Sequence, residues 1–314
     1  MTTIAVPSQV SIRDDAEALY KACKGWGTDG KAIIEVLGRR NASQRKLIRL
    51  AYEELYEEDL VRRLEKELSG DFEKAVYRWI LDPADRDAVL AHVELRESSD
   101  EHPVLVEISC TRSSEELLSI RRAYHARYKR SLEEEIFDNA KGDTRKLLIG
   151  MVSAFRFEGE EINKKLAKSE AKDLHEAIKD KKLDNDDVIR ILTTRSKMQL
   201  QATFNCYREE EGTSITKNLP NNSKNEFLAT LRITVRCLQD PKKYFEKVLR
   251  NSMQRIGTDE DALTRVIVTR AEKDLKEIKE LYYKRNSVRL EEAVDKETKG
   301  DYKDMLLTLL GSDV

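Results

Sequence analysis

Lys24-Gly25-Trp26-Gly27-Thr28-Asp29 is the stretch on which the chain turns. A single G-x-G-T carries little information. Here the pattern returns near the far end as Arg255-Ile256-Gly257-Thr258-Asp259. A carboxylate follows each loop at one distance: Glu67 stands 40 residues after Gly27, and Glu297 stands 40 after Gly257. The surroundings match as well, with Gly70-Asp71-Phe72 against Gly300-Asp301-Tyr302. A loop and an acid kept in register at both ends point to an internal repeat.

The repeat runs through the whole chain. Gly-Asp recurs at 142–143, and Asn225-Glu226-Phe227 takes the third place. An arginine-centred tripeptide recurs as Arg39-Arg40-Asn41, Thr111-Arg112-Ser113, Thr194-Arg195-Ser196 and Thr269-Arg270-Ala271, a period of roughly 70 to 85 residues. Sparse punctuation, 5 Pro and 12 Gly in 314 residues, predicts helix nearly throughout. In the first unit the spacing predicts five helices. One spans Asp15 to Cys23. The second follows the loop, is started by Thr28 or Asp29, and buries Ile33, Ile34, Val36 and Leu37. Ser43 opens a third, with Leu47, Ile48, Leu50, Ala51 and Leu55 inward. Leu60, Val61, Leu64 and Leu68 mark a fourth, closed by Gly70. Phe72, Ala75, Val76, Trp79 and Ile80 mark a fifth, ended before Pro83. Ser113-x-x-Glu116 and Ser196-x-x-Gln199 read as capping boxes for the third helices of units two and three.

The expected division is a tail over 1–11, then units over 12–82, 83–157, 158–240 (with a connector over Glu158–Ser169) and 241–314. Each unit is too small for a generous core, so packing between units matters.

Composition narrows the function. Lys+Arg is 57 and Asp+Glu is 59, a net charge of -2, so no global field attracts nucleic acid or anionic lipid. An anionic surface must be met by a local patch or a bound cation. The opening Met-Thr-Thr-Ile-Ala-Val-Pro lacks the basic and apolar regions of a secretory signal, and Thr2 excludes myristoylation. No apolar run is long enough to span a bilayer. Cys23, Cys110, Cys206 and Cys237 lie far apart without C-x-x-C, which argues against zinc and predicts reduced, mostly buried thiols.

The loops suit one chemistry. Glycine lets the backbone take positive φ and turn carbonyls outward. Outward carbonyls plus a bidentate carboxylate are hard oxygen donors of the kind Ca²⁺ takes. Residues near Trp26 and Gly27, closed by Glu67, supply about five of the six to eight oxygens Ca²⁺ takes, leaving positions for an external phosphate.

Four repeats, the G-x-G-T loop and the distant acid resemble the annexin family over essentially the whole chain. Gly25-Trp26-Gly27-Thr28, Ala123-Tyr124-His125-Ala126-Arg127-Tyr128-Lys129 and Gly257-Thr258-Asp259-Glu260 resemble the plant members, which typically keep the loop in repeats one and four. The resemblance implies an all-α fold of four five-helix repeats packed into a curved disc, with Ca²⁺ loops on the convex face. It implies Ca²⁺-dependent, reversible binding to acidic phospholipid by a cytoplasmic protein that is peripheral on membranes when Ca²⁺ rises. It is expected to be a monomer in solution that associates on membranes. Carried over by residue, one site takes the carbonyls of Cys23, Gly25 and Gly27 with Glu67. The other takes those of Met253, Arg255 and Gly257 with Glu297. Arg255 stands where the first glycine belongs, and positive φ there costs a non-glycine residue about 1 kcal/mol or more. Trp26, set between two glycines, either caps the core from the loop or sits at the lipid interface; the interface is the expectation for it and for Ile256.

Repeats two and three lack the loop, although Asp138 stands where the acid of repeat two is expected. Asp184-Asn185-Asp186-Asp187 lacks the glycine and twelfth-position glutamate of an EF-hand and reads as a helix start. Ile189-Arg190-Ile191 resembles a tripeptide proposed for binding F-actin in plant annexins; ordinary core packing also explains it. The recurring arginines fit either a polar channel or ties between helix ends. No nucleotide or acyl-transfer motif occurs, and nothing in the sequence pairs His125 with a peroxidase partner. The chain reads as a binder, not an enzyme, with an F-actin scaffold, a channel, or weak peroxidase or nucleotide hydrolase activity as alternatives.

Overall fold

The computed structural model describes residues 1–25, 27–97, 101–153, 156–220, 225–254 and 257–312. Among the described residues there are twenty helices and no strand. The first repeat holds α1 (Ile12–Ala22), α2 (Gly30–Leu37), α3 (Ala42–Tyr56), α4 (Leu60–Glu67) and α5 (Gly70–Ile80). The second holds α6 (Pro83–Arg96), α7 (Pro103–Thr111), α8 (Ser114–Tyr128), α9 (Leu132–Asn139) and α10 (Gly142–Val152). The third holds α11 (Lys164–Lys179), α12 (Asp186–Thr194), α13 (Lys197–Glu211), α14 (Ile215–Asn218) and α15 (Glu226–Gln239). The fourth holds α16 (Pro241–Gln254), α17 (Glu260–Arg270), α18 (Leu275–Asn286), α19 (Leu290–Glu297) and α20 (Gly300–Leu309).

The chain divides into two compact units. One joins Met1–Arg86 to Lys242–Val314, and the other is Asp87–Pro241. The first and fourth repeats therefore share a unit, although they are farthest apart in sequence. Two arginines bind them. Arg45 is buried, its guanidinium carbon lies 3.6 Å from the centroid of the Trp79 ring, and it donates to Glu272 at 2.9 Å. Burial pulls its pKa down to about 10, against the pull of Glu272. Arg78 donates to both the carboxylate and the carbonyl of Asp261.

The recurring arginines are structural ties. Arg40 grips Asp15 through two bonds of 2.7 and 2.8 Å, Arg112 grips Asp87 at 2.6 Å, and Arg195 grips Glu170 at 2.7 Å. Each acid lies 25 residues earlier, on the first helix of its repeat. In the fourth repeat that place holds Phe245, and Arg270 sits over its ring at 4.7 Å while pairing with Asp274 at 2.7 Å.

Several local expectations change. Asn41 with Gln44, not Ser43, forms the capping box of α3. Leu47 and Leu50 are 51% and 55% exposed, because α3 buries only the narrow stripe Arg45, Ile48 and Tyr52. Gly70, at φ +66, begins α5 and does not close α4, which ends at Glu67. The connector is shorter than expected, since α11 already starts at Lys164. Ser113 and Glu116 form a reciprocal capping box. Ser196 also caps its helix, but Gln199 turns to the backbone of Asn163 at 2.8 and 3.1 Å and so holds the connector instead.

Candidate functional site

The loops of repeats one and four both follow the first helix of their repeat and are closed by the same bond. The Asp29 amide donates to the Ala22 carbonyl at 3.0 Å, and the Asp259 amide donates to the Ser252 carbonyl at 2.8 Å. Asp29 and Asp259 then cap the next helix, accepting from Ala32 and Ala262 at 3.0 Å each. The closure leaves Cys23 and Met253 just beyond the carbonyl it uses, among the last groups of a helix, where acceptors lack intrahelical donors. Gly27 and Gly257 take φ of +87 and +86, and Gly25 takes +114. A Cβ on any of these glycines would touch nothing within 4 Å, so backbone angle alone requires them.

The acids return to the loops through a threonine. The Thr28 hydroxyl donates to Glu67 Oε2 at 3.1 Å, and the Thr258 hydroxyl lies 3.4 Å from Glu297 Oε2. Thr28 and Thr258 thus hold the acids to the loops, a role that the fourth letter of G-x-G-T carried unread. Glu67 also pairs through Oε1 with Arg63 at 3.0 Å, and Arg63 donates to the Cys23 carbonyl. Arg63 was missed in the sequence, although its place four residues before Glu67 on a helix was a signal for it. The Cys23 thiol is buried, and burial, reinforced by the charge of Glu67, pushes its pKa up to about 11.

Both acids open onto one cleft of about 820 Å³ within the first unit, lined also by Gly27, Asp71, Glu260, Asp301 and, as the one cation among the described residues, Lys299. Gly30 lies against the Asp301 carboxylate, where a Cβ would come within 2.1 Å of an oxygen. Among the described residues, no three His, Cys, Asp or Glu side chains are grouped closely enough to hold a metal ion by themselves. The donors at each loop are therefore one carboxylate and main-chain oxygens. Trp26, Arg255 and Ile256 lie outside the described residues, and with them the expected interface contacts and the strain argued for Arg255.

Repeat two does not repeat this geometry. α9 begins at Leu132 as α4 begins at Leu60, and both are 8 residues long, so Asn139 matches Glu67. Asp138 is one position early and pairs with Arg130 at 2.5 Å. Without a glycine loop to count from, the register slipped by one. Asn139 instead donates to the Glu135 carbonyl at 2.8 Å.

A family model described as Annexin matches residues 14–79, 86–151, 169–232 and 244–309. The chain belongs to the annexin family. It is 62% identical over 313 residues to "Annexin-like protein RJ4" of Fragaria ananassa, covering 100% of both chains. Its structure is similar to that of annexin III, with a TM-score of 0.90 and 32% identity over 100% of this chain and 98% of that one. It is also similar to a calcium-bound annexin (Sm)1, with a TM-score of 0.85 and 28% identity over 99% and 93%. The fold is thus the all-α, four-repeat annexin fold.

Other motifs of this annexin resolve into structure. Asn185 caps α12 from the acidic run, accepting from Asp187 at 3.0 Å. Ile189 and Ile191 are buried while Arg190 pairs with Asp187, so the tripeptide packs a helix. His125 is exposed on α8. None of the four cysteines forms a disulfide, and three are buried. Among the described residues no helix is long and apolar enough to cross a membrane.

Proposed function

We propose that this annexin binds acidic phospholipid membranes reversibly, in response to Ca²⁺, through the loops of repeats one and four. The observation that carries the reading is the match between the two loops. Both have the same closing bond, the same glycine angle within a degree and the same threonine-held glutamate, and both open on one cleft.

The residues fit Ca²⁺. Their donors are hard oxygens, and the set at repeat one already attracts a cation, since the Arg63 guanidinium bonds to both the Cys23 carbonyl and Glu67. Cys23, Gly25, Gly27 and Glu67 would hold one ion; Met253, Arg255, Gly257 and Glu297 would hold the other. Bound Ca²⁺ supplies a divalent charge shared between protein oxygens and lipid phosphate. The glycines hold the loop open at positive φ, and Thr28 and Thr258 aim the carboxylates. With one carboxylate per site, affinity in solution is weak, and anionic lipid tightens it by reciprocal linkage. On this reading the protein is cytoplasmic and becomes peripheral on membranes when Ca²⁺ rises, a monomer until it meets one.

The test is sedimentation with phosphatidylserine or phosphatidylcholine vesicles across a Ca²⁺ titration. Binding is expected to need both Ca²⁺ and anionic lipid. Binding that ignores Ca²⁺ would overturn the proposal and favour a scaffold such as one for F-actin, checked by filament co-sedimentation in chelator.

A further inference from the structure

We propose that Arg63 is a built-in cation of the repeat-one loop, seated in its oxygen donors when Ca²⁺ is scarce and displaced when Ca²⁺ loads. The inference rests on the reading of that loop as a Ca²⁺ site and adds a regulator to it. Arg63 lies on α4, one turn before Glu67. Its guanidinium pairs with Glu67 Oε1 at 3.0 Å and donates to the Cys23 carbonyl. The second carboxylate oxygen is taken by Thr28 at 3.1 Å. One delocalised cation therefore bridges a main-chain oxygen and a carboxylate that are otherwise 40 residues or more apart in sequence. Both contacts are made by one terminal nitrogen, Nη2, whose two hydrogens can serve the two oxygens.

The seat is a poised one. The Arg63 side chain is 30% exposed and Glu67 24%, so the guanidinium has a path to water. Among the described residues its buried Nε finds no partner in the seated position. Release lets water satisfy that donor, which offsets part of the free-energy cost of displacement. Glu58, 3.9 Å away, offers the released charge a neighbour.

Repeat four carries the internal contrast. α19 has the length of α4 and begins with Leu290 where α4 begins with Leu60, so Ala293 occupies the place of Arg63. Alanine cannot compete for the loop. Among the described residues, the Glu297 carboxylate has only the Thr258 hydroxyl, at 3.4 Å.

The experiment is a calorimetric Ca²⁺ titration with phosphatidylserine vesicles. In a Glu297→Gln background, which isolates repeat one, Arg63→Met is expected to lower the half-saturating Ca²⁺ by about three- to tenfold, the scale of a partly exposed charge pair with a charge-assisted bond. In a Glu67→Gln background, which isolates repeat four, Ala293→Arg is expected to raise it by about the same factor. An unchanged or raised half-saturation for Arg63→Met would make Arg63 a prop for the loop and overturn the proposal. A Glu297→Gln protein that takes up no Ca²⁺ would overturn the repeat-one site itself, and the inference with it. The unmutated chain gives a second reading by arginine side-chain NMR. Restricted Arg63 guanidinium signals in chelator are expected to sharpen into free rotation at saturating Ca²⁺; signals that stay restricted would overturn displacement.

Discussion

Gly27→Ala separates backbone from contact at the loop. The glycine sits at φ +87, and a Cβ there would meet nothing within 4 Å. No clash and no lost packing enter the reckoning. What remains is the penalty for an L-residue at positive φ, about 1–2 kcal/mol. That free energy must appear in one of two places. If the loop keeps its shape without Ca²⁺, the folded state carries the strain, and Tm falls by about 2–4 °C per kcal/mol for a unit of this size. If the loop relaxes, Ca²⁺ must restore the strained shape, and half-saturation rises by about five- to thirtyfold. The assay is a thermal melt in chelator paired with a calorimetric Ca²⁺ titration on the same preparation. Gly257→Ala, at φ +86, is expected to do the same at the other loop. A variant with unchanged Tm and unchanged Ca²⁺ affinity would refute the argument that positive φ shapes the donor set.

Asp87→Leu strands the buried Arg112 and is expected to cost about 3–5 kcal/mol in denaturant unfolding, with Ca²⁺ half-saturation unchanged; a loss under about 1 kcal/mol would mean the tie is dispensable. Ile48→Ala, at a fully buried position on α3, is expected to cost about 2–5 kcal/mol, whereas Leu50→Asp on the exposed side stays within about 0.5 kcal/mol. At pH 8 the raised pKa and burial of Cys23 keep its thiol protonated and shielded, so iodoacetamide followed by mass spectrometry is expected to label the partly exposed Cys206 first. Early labelling of Cys23 would contradict its burial at the loop.

What the sequence disclosed follows from how local each feature is. The loop, its glycines and the inward face of α2 depend on nearby residues, and Ile33, Ile34, Val36 and Leu37 are all buried as their spacing requires. The start of α2 needed only the choice between Thr28 and Asp29; Asp29 caps, which frees Thr28 to reach Glu67. Features set by distant neighbours stayed hidden. Leu47 and Leu50 are apolar, but what covers α3 decides which of its sides is core. Arg45 is buried because Trp79 and Glu272 come from elsewhere in the chain. The pairing of repeat one with repeat four, which brings Glu67 and Glu297 onto one cleft, has no local signature at all. Asp138 shows the reverse hazard, a local count without a landmark.

The central claim is that two carboxylates, one per loop, carry the Ca²⁺ response. The most direct measurement is Ca²⁺-dependent sedimentation with phosphatidylserine vesicles for Glu67→Gln, Glu297→Gln and the double variant, each checked for an unchanged fold by circular dichroism. Each single change is expected to move the response to higher Ca²⁺, and the double change to abolish it. A folded double variant that still sediments at the Ca²⁺ concentration of the unmodified chain would contradict the account.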